Sequence, residues 1–149
     1  MKSPDELTIR AALETDLDDV IALLIDADLN IDGVHENVGS FVVAVDSDQI
    51  VGCIGAEPFQ FMALMRSLVV HPDYRGRGLG RRLVRQLLDR FSSRGLREFY
   101  LVTEDAEGYF RKRGFKQCDR DEVHPQVLSS TEFASASDSA VVMRLQMLT

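Results

Sequence analysis

The apolar residues change period several times along the chain, and each change predicts an element. LTIRAA (7–12) alternates well enough for a first strand. Thr15 and Asp16 then offer a helix N-cap, and Leu17, Val20, Ile21, Leu24 and Ala27 recur at spacings of three and four, which places one apolar stripe on a helix. Residues 28–40 are polar and broken by Gly33 and Gly39, so they read as a connection or short helix leading into a strand. FVVAV (41–45), DSDQ and IVGCIGA (50–56) form two β-rich runs around turn formers, a hairpin. FMALMRSLVV (61–70) continues the meander as a long strand, stopped by Pro72 because proline donates nothing to a ladder. From Leu79 onward Leu83, Val84, Leu87, Leu88 and Phe91 return with helical period, and Gly95 closes that helix. EFYLVT (98–103) predicts a strand, EDAEGYFRKR (104–113) a short helix ended by Gly114, and FKQC (115–118) another strand. A loop over 119–138, with a helical turn in HPQVLSSTEF, leads to a last strand in SAVVMRLQM (139–147). The order β-α-β-β-β-α-β-α-β-β predicts an α/β fold: a mixed, mostly antiparallel sheet of about seven strands with helices on both faces.

Length and composition narrow this picture. The 149 residues, 45% of them hydrophobic, suffice for a single domain with a real core, taken here as 1–149. No run approaches the roughly 18–20 apolar residues of a membrane span, and MKSPDELTIR lacks the apolar centre of a signal peptide, so a soluble, cytoplasmic protein with no membrane partner is expected. Cys53 and Cys118 lie far apart with no CxxC or Cys/His spacing, which predicts buried free thiols and no metal site. A formal net charge of -7 repels nucleic acid at long range. Against that background the stretch HPDYRGRGLGRRL (71–83) is unusual, because it crowds Arg75, Arg77, Arg81 and Arg82 around three glycines, with Arg85 just beyond.

A strand that runs into such a loop and then into an amphipathic helix suits an anion. A helix N-terminus exposes unpaired N–H groups and about half a positive charge, and glycines let a phosphate come close to them. The loop is no Walker A motif, since no Gly-Lys-Ser/Thr ends it, and GRGLGR lacks the third glycine of a dinucleotide fingerprint. Val70-x-Pro72-x-Tyr74-Arg75-Gly76-x-Gly78-x-Gly80 instead resembles the acetyl-coenzyme A loop of the GCN5-related N-acetyltransferase (GNAT) family, whose core is Arg/Gln-x-x-Gly-x-Gly/Ala. The element order agrees with that fold over nearly the whole chain, and AEGYFRKRGF (106–115) is similar to the family's helix ending in Gly-Phe. The resemblance implies acetyl-CoA as cosubstrate, with Leu68, Val69 and Val70 offering backbone groups to its pantetheine arm. Arg75, Gly76, Arg77, Gly78, Leu79, Gly80 and Arg81 would then supply amides and charge to its pyrophosphate, and Phe110 would lie near the far end of the arm. For Arg81, a solvated helix face stands as the alternative, and Arg82 and Arg85 are expected to face solvent. His71 reads as a strand-end surface residue.

Acetyl transfer to an amine requires a neutral amine, a polarised thioester carbonyl and a fate for the leaving thiolate. Relatives often carry a glutamate on the strand before the loop, yet FMALMRSL has no carboxylate, so Glu57 at the end of IVGCIGAE is the candidate base, the alternative being a carboxylate at a strand end in solvent. The family's tyrosine position, four residues before the helix-ending glycine, holds Phe110; Tyr109 stands one residue and about 100° of helix rotation away. Tyr109 is therefore either a candidate acid or a partly buried core aromatic. Arg66, on a half-buried strand, needs an anionic partner, which would be a structural carboxylate such as Glu57 or Asp105, or the carboxylate of an acidic substrate. VGCIGAE, LMRSLVVHPDYRGRGLG, DAEGYFRKRGF and the 119–143 segment further resemble the amino-acid N-acetyltransferase branch, especially arsinothricin-resistance acetyltransferases. That implies acetylation of a small amino acid or glutamate-like analogue, with Glu57, Arg66 and Arg75 as substrate contacts and residues 126–134 closing over the substrate. Ser137 stands where some relatives carry a cysteine. A protein or peptide acetyltransferase and a non-catalytic acyl-CoA-binding module are the alternatives, and the expected assembly is a monomer or homodimer.

Overall fold

The computed structural model describes residues 6–147. Its strands are β1 (Thr8–Ala11), β2 (Val42–Asp46), β3 (Gln49–Phe59), β4 (Met62–Val70), β5 (Glu98–Thr103), β6 (Lys116–Gln117) and β7 (Val141–Gln146). They form a seven-stranded sheet in the order β1-β2-β3-β4-β5-β7-β6. The pairs β1–β2, β2–β3, β5–β7 and β6–β7 are antiparallel, and β4–β5 is parallel. The helices are α1 (Leu17–Asp26), α2 (Val34–Asn37), α3 (Leu79–Ser92), α4 (Glu107–Arg111), α5 (Pro125–Leu128) and α6 (Thr131–Ser135). This is the mixed, mostly antiparallel α/β arrangement that the hydrophobic pattern predicts. Among the described residues no helix is long and apolar enough to cross a membrane. The chain forms two compact units, one of residues up to 56 with 67–90, the other of 57–66 with residues from 91 on.

In the first unit the stripe of α1 does what its period predicts. Val20 and Leu24 are fully buried against Val34, Phe41, Val43, Ile50, Cys53 and Val69, with Leu17, Ile21 and Ala27 at the margin. Successive strand residues point to opposite faces. Cys53 therefore joins the α1 side, whereas a Cβ on Gly52 would lie 3.2 Å from the Leu83 side chain of α3. Both faces of the sheet are covered here, and this close approach is why residue 52 is glycine. Gly55 is tighter still, since a Cβ there would sit 2.3 Å from the ring of Phe41. Gly55→Ala is expected to destabilise the protein by about 1–3 kcal/mol, as overpacking in a closed core does, read as a lower urea midpoint at unchanged slope. Burial pushes the Cys53 thiol up to about 12, in keeping with a core side chain.

The entry to α1 differs from expectation. Asp16 precedes the helix, but its carboxylate turns back to accept from the Leu13 N–H at 2.7 Å and to hold Arg10 at 2.6 and 3.2 Å, so it makes no side-chain cap on α1. The Arg10 hydrogen bond is the main reason the Asp16 carboxyl lies below its ordinary value, with burial opposing. A depressed carboxyl contributes stability above its unfolded value of about 3.9, and that contribution disappears as pH falls through the lower folded value. Asp16→Asn is therefore expected to lose less stability than the parent when urea unfolding is repeated at pH 7 and pH 3.

The second unit packs Met62, Leu64, Tyr100, Cys118, Val123, Val127, Phe133 and Val142 together. Parallel pairing of β4 with β5 covers only Met62↔Glu98, Ala63↔Phe99 and Leu64↔Tyr100, although both strands continue beyond. Several boundaries shift for local reasons. The helix expected over 104–113 starts later because the Ala106 N–H donates to Thr103 Oγ1 in a turn. The strand expected over 115–118 shortens to two residues, since Phe115 turns into the core. The loop over 119–138 contains a 3-10 turn (Arg120–Glu122), α5 and α6, the last capped by Ser130 Oγ accepting from the Phe133 N–H.

Candidate functional site

In the first unit, the end of β4 feeds a loop pinned by four hydrogen bonds. The His71 N–H donates to the Val51 carbonyl at 2.8 Å. His71 Nδ1 accepts from the Asp73 N–H at 3.1 Å and caps the 3-10 turn Pro72–Tyr74, so the residue has a structural task beyond lying at the surface. The buried Tyr74 donates its hydroxyl to Asp46 Oδ2, and that hydrogen bond holds the phenol above its ordinary value. Arg75 then folds back, its Nε donating to the Val70 carbonyl at 3.0 Å. Its guanidinium thus braces the strand end as well as lying exposed beside the loop.

Gly76 and Gly78 follow at φ +78° and +79°. Those left-handed conformations are the reason for glycine here, because a Cβ would meet nothing within 4 Å at Gly76 and only Arg81 Nη2, at 3.7 Å, at Gly78. The space over the loop is open. The Arg82 N–H donates to the Gly78 carbonyl, so the amides of Leu79, Gly80 and Arg81 lie ahead of the helical ladder of the 14-residue α3. Leu79 is buried and fastens the helix start to the core, while Arg77 and Arg81 are exposed on either side of it in sequence. Open left-handed glycines, unladdered amides and two exposed guanidiniums together fit a diphosphate. Arg85 faces solvent as expected; Arg82, expected there too, is half-buried and engaged.

The second unit gathers a charged cluster. Arg66 of β4 is 4% exposed, and its Nη1 donates to Glu57 Oε2 of β3 at 2.8 Å. The same nitrogen lies 3.4 Å from Thr131 Oγ1, and Nη2 lies 3.5 Å from Glu132 Oε1, both on α6. Two carboxylates therefore share one buried guanidinium. Among the described residues Glu57 Oε1 carries no hydrogen bond, which leaves it able to accept one. Phe133 anchors α6 in the core and so delivers Thr131 and Glu132 to Arg66. The sequence singles out Glu57 and Arg66, and the structure brings them together. It also adds Thr131 and Glu132, for which the only signal was their place in the 126–134 segment. Ser67, the residue after Arg66, is buried at φ +62°, a costly conformation for a non-glycine residue that no sequence pattern announces.

Tyr109 and Phe110 of α4 belong to a separate aromatic group. The Arg113 guanidinium lies 4.1 Å from the centroid of the half-buried Tyr109 ring, and Phe110, 5.2 Å from Tyr109, meets Phe115 edge-on at 5.9 Å. Tyr109 is half-buried and Phe110 buried, in contact with each other.

The acetyltransferase (GNAT) family matches residues 6–115. An uncharacterised N-acetyltransferase of Chlorobaculum tepidum is 30% identical over 98 residues, 65% of this chain and 62% of the relative. The amino-acid acetyltransferase of Vibrio vulnificus is 28% identical over 90 residues, 59% of this chain and 20% of that protein. The chain thus spans about three fifths of the first relative and one fifth of the second. Among solved structures, N-acetylglutamate synthase of Neisseria gonorrhoeae, complexed with coenzyme A and N-acetyl-glutamate, superposes with a TM-score of 0.83 at 18% identity, over 96% of this chain and 35% of that one. Rv2747 of Mycobacterium tuberculosis, in complex with CoA and NLQ, gives 0.76 at 22% identity over 95% and 99%. At these identities the structures show a shared fold.

Proposed function

The chain belongs to the acetyltransferase (GNAT) family, and from that premise we propose that it transfers acetyl from acetyl-CoA to the amine of a small amino acid or glutamate-like analogue. The observation that carries the reading is the open loop, Gly76 and Gly78 left-handed ahead of the unladdered amides of α3. The amides of Arg75 to Arg81 hold the pyrophosphate, with Arg77 and Arg81 adding charge, and Leu68 to Val70 line the pantetheine arm. Bound there, acetyl-CoA supplies the activated thioester carbonyl. Phe110 is assigned to the far end of that arm by resemblance alone. Amino-acid acetyltransferases among the relatives, and N-acetyl-glutamate in a structural neighbour, support the acceptor class.

On the acceptor side, Glu57 is the proposed base. Arg66 fixes one of its oxygens, and the open Oε1 accepts an amine hydrogen and takes the proton as the amine becomes nucleophilic. Arg66 is the proposed contact for an acceptor carboxylate. Tyr109 is retained as a candidate proton donor, the alternative being direct departure of the thiolate, which solvent then protonates.

The test is an acceptor screen of the purified protein with acetyl-CoA and thiol detection, across amino acids, glutamate analogues, polyamines and peptides. Thiol release is expected with free amino acids, and above all with those bearing a second carboxylate. Release with peptides alone would make it a protein acetyltransferase. Tight coenzyme A binding with no transfer to any acceptor would make it a binding module.

A further inference from the structure

Glu132 contacts Arg66, the residue proposed above to hold an acceptor carboxylate. The Arg66 guanidinium is completely buried, and its two terminal nitrogens face different carboxylates. The two contacts are unequal. Glu57 holds Nη1 at 2.8 Å from within a long strand and is 11% exposed, whereas Glu132 approaches Nη2 at 3.5 Å from a five-residue helix and is 18% exposed. The longer, wetter contact, from the shorter element, is the weaker of the two.

Two carboxylates, Glu57 and Glu132, already contact the one Arg66 guanidinium. Adding an acidic acceptor with both glutamates in place would set three carboxylates around one cation, and like charges in a poorly hydrated site repel strongly. We propose that Glu132 occupies the acceptor's carboxylate position on Arg66 and is displaced when an acidic acceptor binds, making it a specificity-determining residue that sets how tightly acidic acceptors are held. This rests on the reading of the acceptor as an acidic amino acid. In the displaced state Arg66 keeps Glu57 on Nη1 and takes the acceptor carboxylate on Nη2, so the guanidinium remains paired throughout. Glu132 lies on a five-residue helix whose buried anchor is Phe133.

The experiment uses the full chain, with Glu132→Gln and Glu132→Ala beside the parent, and a ligand that needs no chemistry. Glutarate, which has two carboxylates and no amine, and its uncharged isostere glutaramide are titrated by calorimetry, and KM and kcat are measured for L-glutamate. Both variants are expected to bind glutarate about five- to tenfold more tightly than the parent, the size of one lost competing ion pair, with glutaramide unchanged. KM for L-glutamate falls in parallel while kcat stays within about twofold. Glutarate affinity that is unchanged or weaker in both variants overturns the displacement, as does equal tightening of glutaramide, which would signal only a more open site. Tighter glutarate binding with no thiol release from any amino acid would instead sink the acetyl-transfer reading and leave the displacement standing.

Discussion

Gly78→Glu is expected to weaken coenzyme A binding at least about a hundredfold, or about 2.7 kcal/mol, in a calorimetric titration. Three effects act together. Residue 78 sits at φ +79°, where any L side chain is strained by about 1–2 kcal/mol, so the loop distorts or relaxes away from its open shape. The new side chain enters the space ahead of α3, which is open except for Arg81 Nη2 at 3.7 Å. Its carboxylate then pairs with Arg81 and meets the diphosphate with like charge, replacing a favourable cation by a neutralised one. Thermal unfolding of the variant should shift by only a few degrees, because residue 78 is exposed and carries none of the core. Affinity within twofold of the parent would show that the diphosphate lies elsewhere.

That loop was legible in the sequence because its function rests on backbone shape, and backbone shape is written in glycine spacing and in the stripe Leu79, Leu83, Val84, Leu87, Phe91 that starts the helix. The strands were legible for the same kind of reason, since period-two runs and turn formers act over a few residues. The helix boundary at 104 failed because a single side chain decides it, Thr103 Oγ1 holding the Ala106 N–H, whereas α1 starts after Asp16 as its pattern predicts and only the side-chain cap is missing, Asp16 reaching back to Leu13 instead. The acceptor cluster was half legible. A lone arginine in FMALMRSL demands an anion, and Glu57 ends the neighbouring strand of the hairpin. Glu132 and Thr131 were not, because the contact spans 65 residues and depends on how Phe133 seats a short helix. Asp105 was an equal candidate by sequence. It lies exposed after β5, where no burial calls for a buried cation.

Arg66→Ala is expected to cost about 3–5 kcal/mol of stability at pH 7.5, a large part of what a domain of this size possesses, seen as a strongly lowered urea midpoint. The reason is the cation removed, for Glu57 and Glu132 would both lose the buried guanidinium that each contacts. Instability alone does not establish a substrate role, and a charge-balanced variant separates the two. Arg66→Met combined with Glu57→Gln and Glu132→Gln removes the cation and both anions at similar volume, and should recover most of the stability. If Arg66 holds the acceptor, glutarate binding stays at least tenfold weaker than in the parent despite the restored fold, while coenzyme A affinity returns to normal. Recovery of glutarate binding together with stability would reduce Arg66 to a structural ion-pair residue and move acidic recognition to another cation, of which Arg75 is the remaining candidate.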